Sequence, residues 1–148
     1  MKKLVIAILF LALLTLPALA ENIVSYDAID IDLYGKKTEE IGTIIQKIEY
    51  DPTDYLGKTI RMGGILGTEK DRKTGNMYYF VYELASTSAC CGGEYYSFDF
   101  VWAGEHSYPQ DYTHWGETLV VTGVLSKYTV GETERLVLQD SEVHWVAE

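Results

Sequence analysis

From Thr59 to Trp145 apolar and polar residues alternate with a period of two, and this alternation constrains the fold more than any other feature of the chain. Ile60, Met62 and Leu66 share one parity around Gly63-Gly64. Tyr78, Phe80, Tyr82 and Leu84 alternate with Tyr79, Val81 and Glu83, and Tyr96, Phe98, Phe100 and Trp102 alternate with Ser97, Asp99 and Val101. A fourth run carries Leu119, Val121 and Leu125 with Gly123 inside it; a fifth carries Leu136 and Leu138 and extends toward Val143 and Trp145. Successive side chains of a strand point to opposite faces, so each run reads as a half-buried strand. Thr74-Gly75-Asn76, Gly92-Gly93 and Val130-Gly131-Glu132 supply turns between them.

Glycines within the first and fourth runs point to strong coiling, where bulges or close backbone approach leave no room for a side chain. The predicted fold is therefore mainly β, a small five-stranded OB-fold-like barrel. The long connection from Ala103 to Gly116 falls between strands three and four, where such a barrel has its variable segment. A β-sandwich, which wants about seven strands, is the second choice.

Ahead of the strands, Ile41, Ile44, Ile45 and Ile48 fall on one helical stripe, and Asp51-Pro52 ends it. This predicts an N-terminal amphipathic helix with Thr38 as N-cap and Glu39-Glu40 in its first turn, where the helix dipole favours acid. Ile29 to Leu33 alternates briefly, as an edge strand or an extended lead-in.

Residues 1–20 read as a signal peptide. Lys2-Lys3 is the positive start, Leu4 to Leu14 the apolar run, and Ala18-Leu19-Ala20 the cleavage site. The run is shorter than the roughly 20 residues of a permanent anchor. The expected organisation is thus a signal peptide (1–20), a polar lead-in (21–37) and a helix-plus-barrel domain (38–148), placed outside the cytoplasm with no stable membrane insertion.

The formal net charge is −10, and loss of Lys2 and Lys3 makes it two charges more negative. Nucleic acid is not an expected partner, because phosphate binding needs clustered Lys and Arg, which here are few and diluted by acid. Cations, neutral small molecules or other proteins suit the charge better.

Asp51-Pro52-Thr53-Asp54-Tyr55-Leu56-Gly57-Lys58-Thr59-Ile60-Arg61, Gly64, Ala89-Cys90-Cys91-Gly92-Gly93 and Leu119-Val120-Val121-Thr122-Gly123 together resemble small exported OB-fold-like bacterial proteins of unassigned function. More distantly, the Tyr-Leu-Gly-Lys and Cys-Cys elements look like the C-terminal domain of bacterial membrane-associated proteins found beside permeases. The resemblance spans roughly Ile41 to Val146. It implies the barrel and export, and it implies no catalytic residues.

Cys90 and Cys91 allow three readings. Both can be buried packing residues, since free cysteine is a small hydrophobe. They can form a vicinal disulfide after export, strained because adjacent α-carbons lie about 3.8 Å apart, closer than a usual disulfide span. Or they can be thiolate ligands for zinc or copper(I), completed by His106, His114 or Glu94. The sequence requires no cofactor, and zinc is the candidate if the third reading holds.

His106 and His114 lie in the long connection and are the candidate imidazole ligands, with solvated loop residues as the plainer reading; His144 reads as a partly buried structural histidine. Among the aromatics, Tyr79, Tyr95, Tyr112 and Trp115 are the candidates for a ligand-binding surface.

No nucleophile elbow, phosphate loop, zinc-protease helix or Cys-x-x-Cys pair is present. The expectation is an exported, non-catalytic binding or interaction module. Its alternatives are a metal-binding or thiol-redox-responsive protein using Cys90 and Cys91, and an accessory subunit of an envelope complex.

Overall fold

The computed structural model describes residues 25–85, 94–107, 109–112 and 116–146. Its elements are β1 (Ile31–Asp32), α1 (Thr38–Tyr50), β2 (Thr59–Lys70), β3 (Met77–Leu84), β4 (Tyr95–Trp102), β5 (Thr118–Val130) and β6 (Thr133–Trp145). The protein is mainly β; among the described residues there is one helix, and the strands belong to one sheet.

The five runs of alternation are all strands. The expected count of five is nevertheless corrected to six, because Ile31 and Asp32 pair in parallel with Ile60 and Arg61. A side-chain lock holds this short strand, the Arg61 guanidinium donating to both carboxylate oxygens of Asp32. The brief alternation over Ile29 to Leu33 leaves an edge strand and an extended lead-in both open, and the pairing with β2 selects the edge strand.

The strand order is β1-β2-β3-β4-β6-β5, and β5 pairs again with β2, so β2 to β6 form a circuit of paired strands. Closure is uneven, because β2 is shared. Thr59 to Ile65 pair with β5, whereas Ile65 to Lys70 pair with β3. The changeover falls at Ile65, directly after Gly63-Gly64, which still pair with β5. The Tyr55-Leu56-Gly57-Lys58 turn feeds β2 into place. The Gly57 amide donates to the Leu125 carbonyl at 2.8 Å, and the Leu125 amide donates back to Lys58 at 2.9 Å. That sequence element is therefore accounted for by backbone docking onto β5.

Inside the circuit lie Ile60, Met62, Leu66, Val81, Phe98, Phe100, Leu119, Val121, Leu125 and Leu138, all buried. Each contributes roughly 1.5–3 kcal/mol of burial free energy, the main force for closure. The α1 stripe turns Ile41, Ile45 and Ile48 into the same core. Its first residue does not cap it, contrary to expectation. Lys37 holds the cap position, and the Thr38 hydroxyl instead donates to Glu83 at the end of β3, 3.2 Å away. The ring of Tyr96, at the start of β4, lies against Gly42, where any side chain would collide with it. The helix thus covers the end of the barrel at which β3 finishes and β4 begins.

Candidate functional site

At the opposite end of the same two strands the barrel opens. Pairing between β3 and β4 runs from Leu84↔Tyr95 only as far as Phe80↔Asp99, although both strands continue beyond it. β3 stays with β2 through Met77. β4 leaves for β6, pairing Phe100 with Leu138 and Trp102 with Ser141 across a bulge. β6 is irregular at the same level. Asp140 has a φ of 50°, the only positive value among the described non-glycine residues, and the β5–β6 register shifts beside it. Bulges bend strands and re-aim side chains. Here they part β3 from β4 and open a cleft of about 500 Å³ between Met77–Tyr79 and Phe100–Trp102.

The cleft is lined chiefly by rings. Tyr79 and Tyr112 stack with centroids 3.7 Å apart and planes 12° apart. Trp102 stands edge-on to Tyr112 at 5.5 Å. Its face carries the ring of His106 at 3.8 Å. A tight turn folds this histidine back. Gly104 has a φ of 99°, a conformation L side chains rarely adopt, and the His106 Nε2 lies 2.9 Å from the Ala103 carbonyl oxygen. Tyr78 and Tyr128 form a second pair at 6.1 Å. Asn76 and Gln139 add neutral polar groups to the lining.

One residue of this lining is acidic, Asp99, on the strand face that also carries Arg135 and Val137 of β6. Asp99 is only 7% exposed. It accepts a hydrogen bond from the Tyr128 hydroxyl at 2.5 Å and one from Arg135 Nη2 at 3.0 Å, and Arg135 Nε lies 2.7 Å from it in an ion pair. Arg135 also bridges to Glu69 at 3.1 Å and lies over the Tyr78 ring at 5.5 Å. Burial raises the Asp99 pKa above the usual 3.8, outweighing the bonds from Tyr128 and Arg135 that pull it down. Burial likewise pushes Tyr112 up to about 12, and burial together with Asp99 raises Tyr128. Both phenols stay neutral at ordinary pH.

A pH effect follows from Asp99. Between 3.8 and its raised folded value, the folded protein binds this proton more tightly than the unfolded chain. Stability from Asp99 is therefore fully present below 3.8 and is lost as pH rises through the folded pKa. Asp32 acts oppositely. The Arg61 hydrogen bond lowers its pKa, so its contribution is present above 3.8 and lost as pH falls through its lower folded value. The expected urea midpoint rises on mild acidification toward 3.8, by more in the native sequence than in Asp99→Asn. Identical pH curves for the two proteins would remove Asp99 as the cause.

The sequence candidates divide. Tyr79 and Tyr112 meet, as rings stacked in the cleft, and Tyr112 is also a core residue at 8% exposure. His106 joins them through Trp102. Tyr95 does not, which corrects its grouping with them. It stands 55% exposed on the outer face of β4, 6.2 Å from Phe80 and 5.7 Å from Tyr82. Its odd parity in a strand whose even aromatics point inward is the reason. Cys90, Cys91, His114 and Trp115 lie outside the described residues. Among the described residues no group of three or more His, Cys, Asp and Glu is arranged to hold a metal ion. The charged neighbour of His106 is Asp111, 3.9 Å from its Nδ1. His144 is not partly buried as expected; its side chain is 62% exposed and its Nε2 lies 2.8 Å from Glu142.

Sequence reasoning missed Trp102, Asp99 and Arg135 as candidate site residues. A usable signal was Asp99 itself, a carboxylate between Phe98 and Phe100 in the middle of a strand, where an unpaired charge is costly.

No protein-family model matches the chain, and no curated protein matches it. Among the described residues no helix is long and apolar enough to cross a membrane.

Proposed function

We propose that the protein is an extracytoplasmic, non-catalytic binding module with an OB-fold-like barrel, and that the cleft between β3 and β4 is its ligand site. The observation that carries this reading is the aromatic-lined cleft of about 500 Å³ at the barrel end left uncovered by α1. That volume lies within the roughly 300–1,000 Å³ of small-molecule sites, which are concave and mostly apolar with a few polar groups.

The strand circuit β2-β3-β4-β6-β5, with β4 and β6 parallel, supports the OB-fold reading. In that fold ligands approach the second and third strands between the first and last hairpin loops. The cleft is bordered by the corresponding parts, Asn76 at the end of the β2–β3 turn and Tyr128 near the β5–β6 hairpin. The ligand is a small molecule or an exposed group of a larger one, with a ring or apolar body that packs on Trp102 and Tyr79.

Nuclear magnetic resonance titration with neutral glycans, short peptides and organic ammonium ions tests the site. Binding is expected to shift the Trp102 indole N–H. Trp102→Ala should weaken it roughly tenfold, since a stacked ring is worth about 1–3 kcal/mol. A ligand that perturbs only the Phe80–Tyr95 face, or binds Trp102→Ala equally well, would place the site elsewhere.

A further inference from the structure

The chemistry of the cleft narrows its ligand further. Six phenyl, phenol and indole rings contribute to its lining, those of Tyr78, Tyr79, Phe100, Trp102, Tyr112 and Tyr128, together with the imidazole of His106 stacked on Trp102. The lining includes Asp99, whose carboxylate accepts from the Tyr128 hydroxyl, and no lysine or arginine among the described residues. Aromatic faces carry partial negative charge and attract cations that approach within about 6 Å of the ring centre. A carboxylate beside them adds a full charge of the same sign. An anion meets repulsion from both, whereas a cation is attracted by both.

Arg135, just outside the lining, shows how this surroundings treats a cation. Its guanidinium carbon lies 5.5 Å from the centre of Tyr78 while its Nη2 donates to Asp99 at 3.0 Å and its Nε lies 2.7 Å from the same carboxylate. Ring face and carboxylate hold one planar cation together. Glu69 pairs with the same guanidinium at 3.1 Å, so Glu69, Asp99 and Arg135 together keep an excess of one negative charge beside the cleft. The whole chain, at −10, adds a field of the same sign.

We propose, resting on the cleft being the ligand site, that it takes an organic cation whose charge is spread over an apolar surface, a methylated ammonium or guanidinium group. Such a group loses little hydration on entering an aromatic lining, while a compact ammonium loses much more. The Trp102, Tyr79 and Tyr112 rings supply the apolar contact. Asp99 and the Tyr78–Tyr128 pair supply the attraction.

Choline and its neutral carbon isostere, in which tert-butyl replaces trimethylammonium, have the same shape and differ in charge. Titrated into the full mature protein and read at the Trp102 indole N–H, choline is expected to bind roughly tenfold tighter than the isostere. The preference should shrink with added salt, because Asp99 acts through a charge that ions screen. It should also shrink in Tyr78→Leu and, with side-chain shape kept, in Asp99→Asn. Preserved methyl dispersion in the spectra identifies variants that still fold. Equal affinity for the two probes, or no shift with choline, overturns the cation proposal. A glycan or neutral peptide shifting Trp102 in that case leaves the cleft standing as a binding site, whereas silence from every probe removes both.

Discussion

Arg135→Met is expected to lower the unfolding free energy by about 3 kcal/mol, measured by urea denaturation at neutral pH. The cost comes from what remains behind. Asp99 is 7% exposed, and Arg135 supplies its ion pair and one of its two side-chain hydrogen bonds. Removing one member of a buried ion pair leaves an uncompensated charge and costs about 3–5 kcal/mol, more than the pair is worth against apolar replacements. The lower end applies here, because the Arg135 side chain is 28% exposed and Tyr128 still donates to the carboxylate. Adding Asp99→Asn to Arg135→Met should return part of the loss, since the stranded charge is gone. A single-variant cost below about 1 kcal/mol would mean that water reaches Asp99 and that the network is not a buried one. The same substitution tests the cleft, because Arg135 spans Glu69 of β2, Asp99 of β4 and the Tyr78 ring of β3.

The second large effect separates two adjacent glycines. A β-carbon on Gly64 would stand 2.9 Å from the Tyr82 carbonyl carbon, closer still to its oxygen, and 3.1 Å from Val81 Cγ2. The obstacle is backbone of β3, held in the ladder with β2, and it cannot swing aside. Gly64→Ala is therefore expected to cost about 3 kcal/mol, at the upper end of overpacking. Gly63→Ala also creates a collision, but with the ring of Tyr34, whose Cε2 lies 2.9 Å from the added atom. Tyr34 is 49% exposed and can rotate into solvent, so the expected cost stays below about 1 kcal/mol. Thermal or urea unfolding of the pair decides the point. Equal costs would show that the β2 changeover does not depend on the close approach of β3 at Gly64.

The two glycines also illustrate how far the sequence reaches. Gly63-Gly64 inside a strand pattern signals coiling, and the coiling is there. Which glycine backs onto a neighbouring strand depends on the register of β2 against β3, and register is a property of two segments. The cleft follows the same logic. Tyr79 and Tyr112 stood out as binding candidates because aromatic side chains suit ligand surfaces, and they do stack in the cleft. Tyr95 has the same chemistry and opposite parity, and it faces away. Trp102 was legible as a strand residue and not as a site residue, because its place depends on β4 parting from β3 and joining β6.

Local sequence pattern placed the elements. Period-two alternation located the β-hairpins and the strands of the core, and the isoleucine stripe located α1, because side-chain periodicity is a local property of each segment. The sequence also determined the acidic charge. Only the folded arrangement selected the edge strand over the extended lead-in at Ile31–Asp32, closed the sheet unevenly through β2, and set α1 over one barrel end while the other opens. It alone joined Asp99, Tyr128, Arg135 and Glu69, which come from four strands. Their bonds form across segments far apart in the chain, and the core packing that closes the barrel brings them within reach.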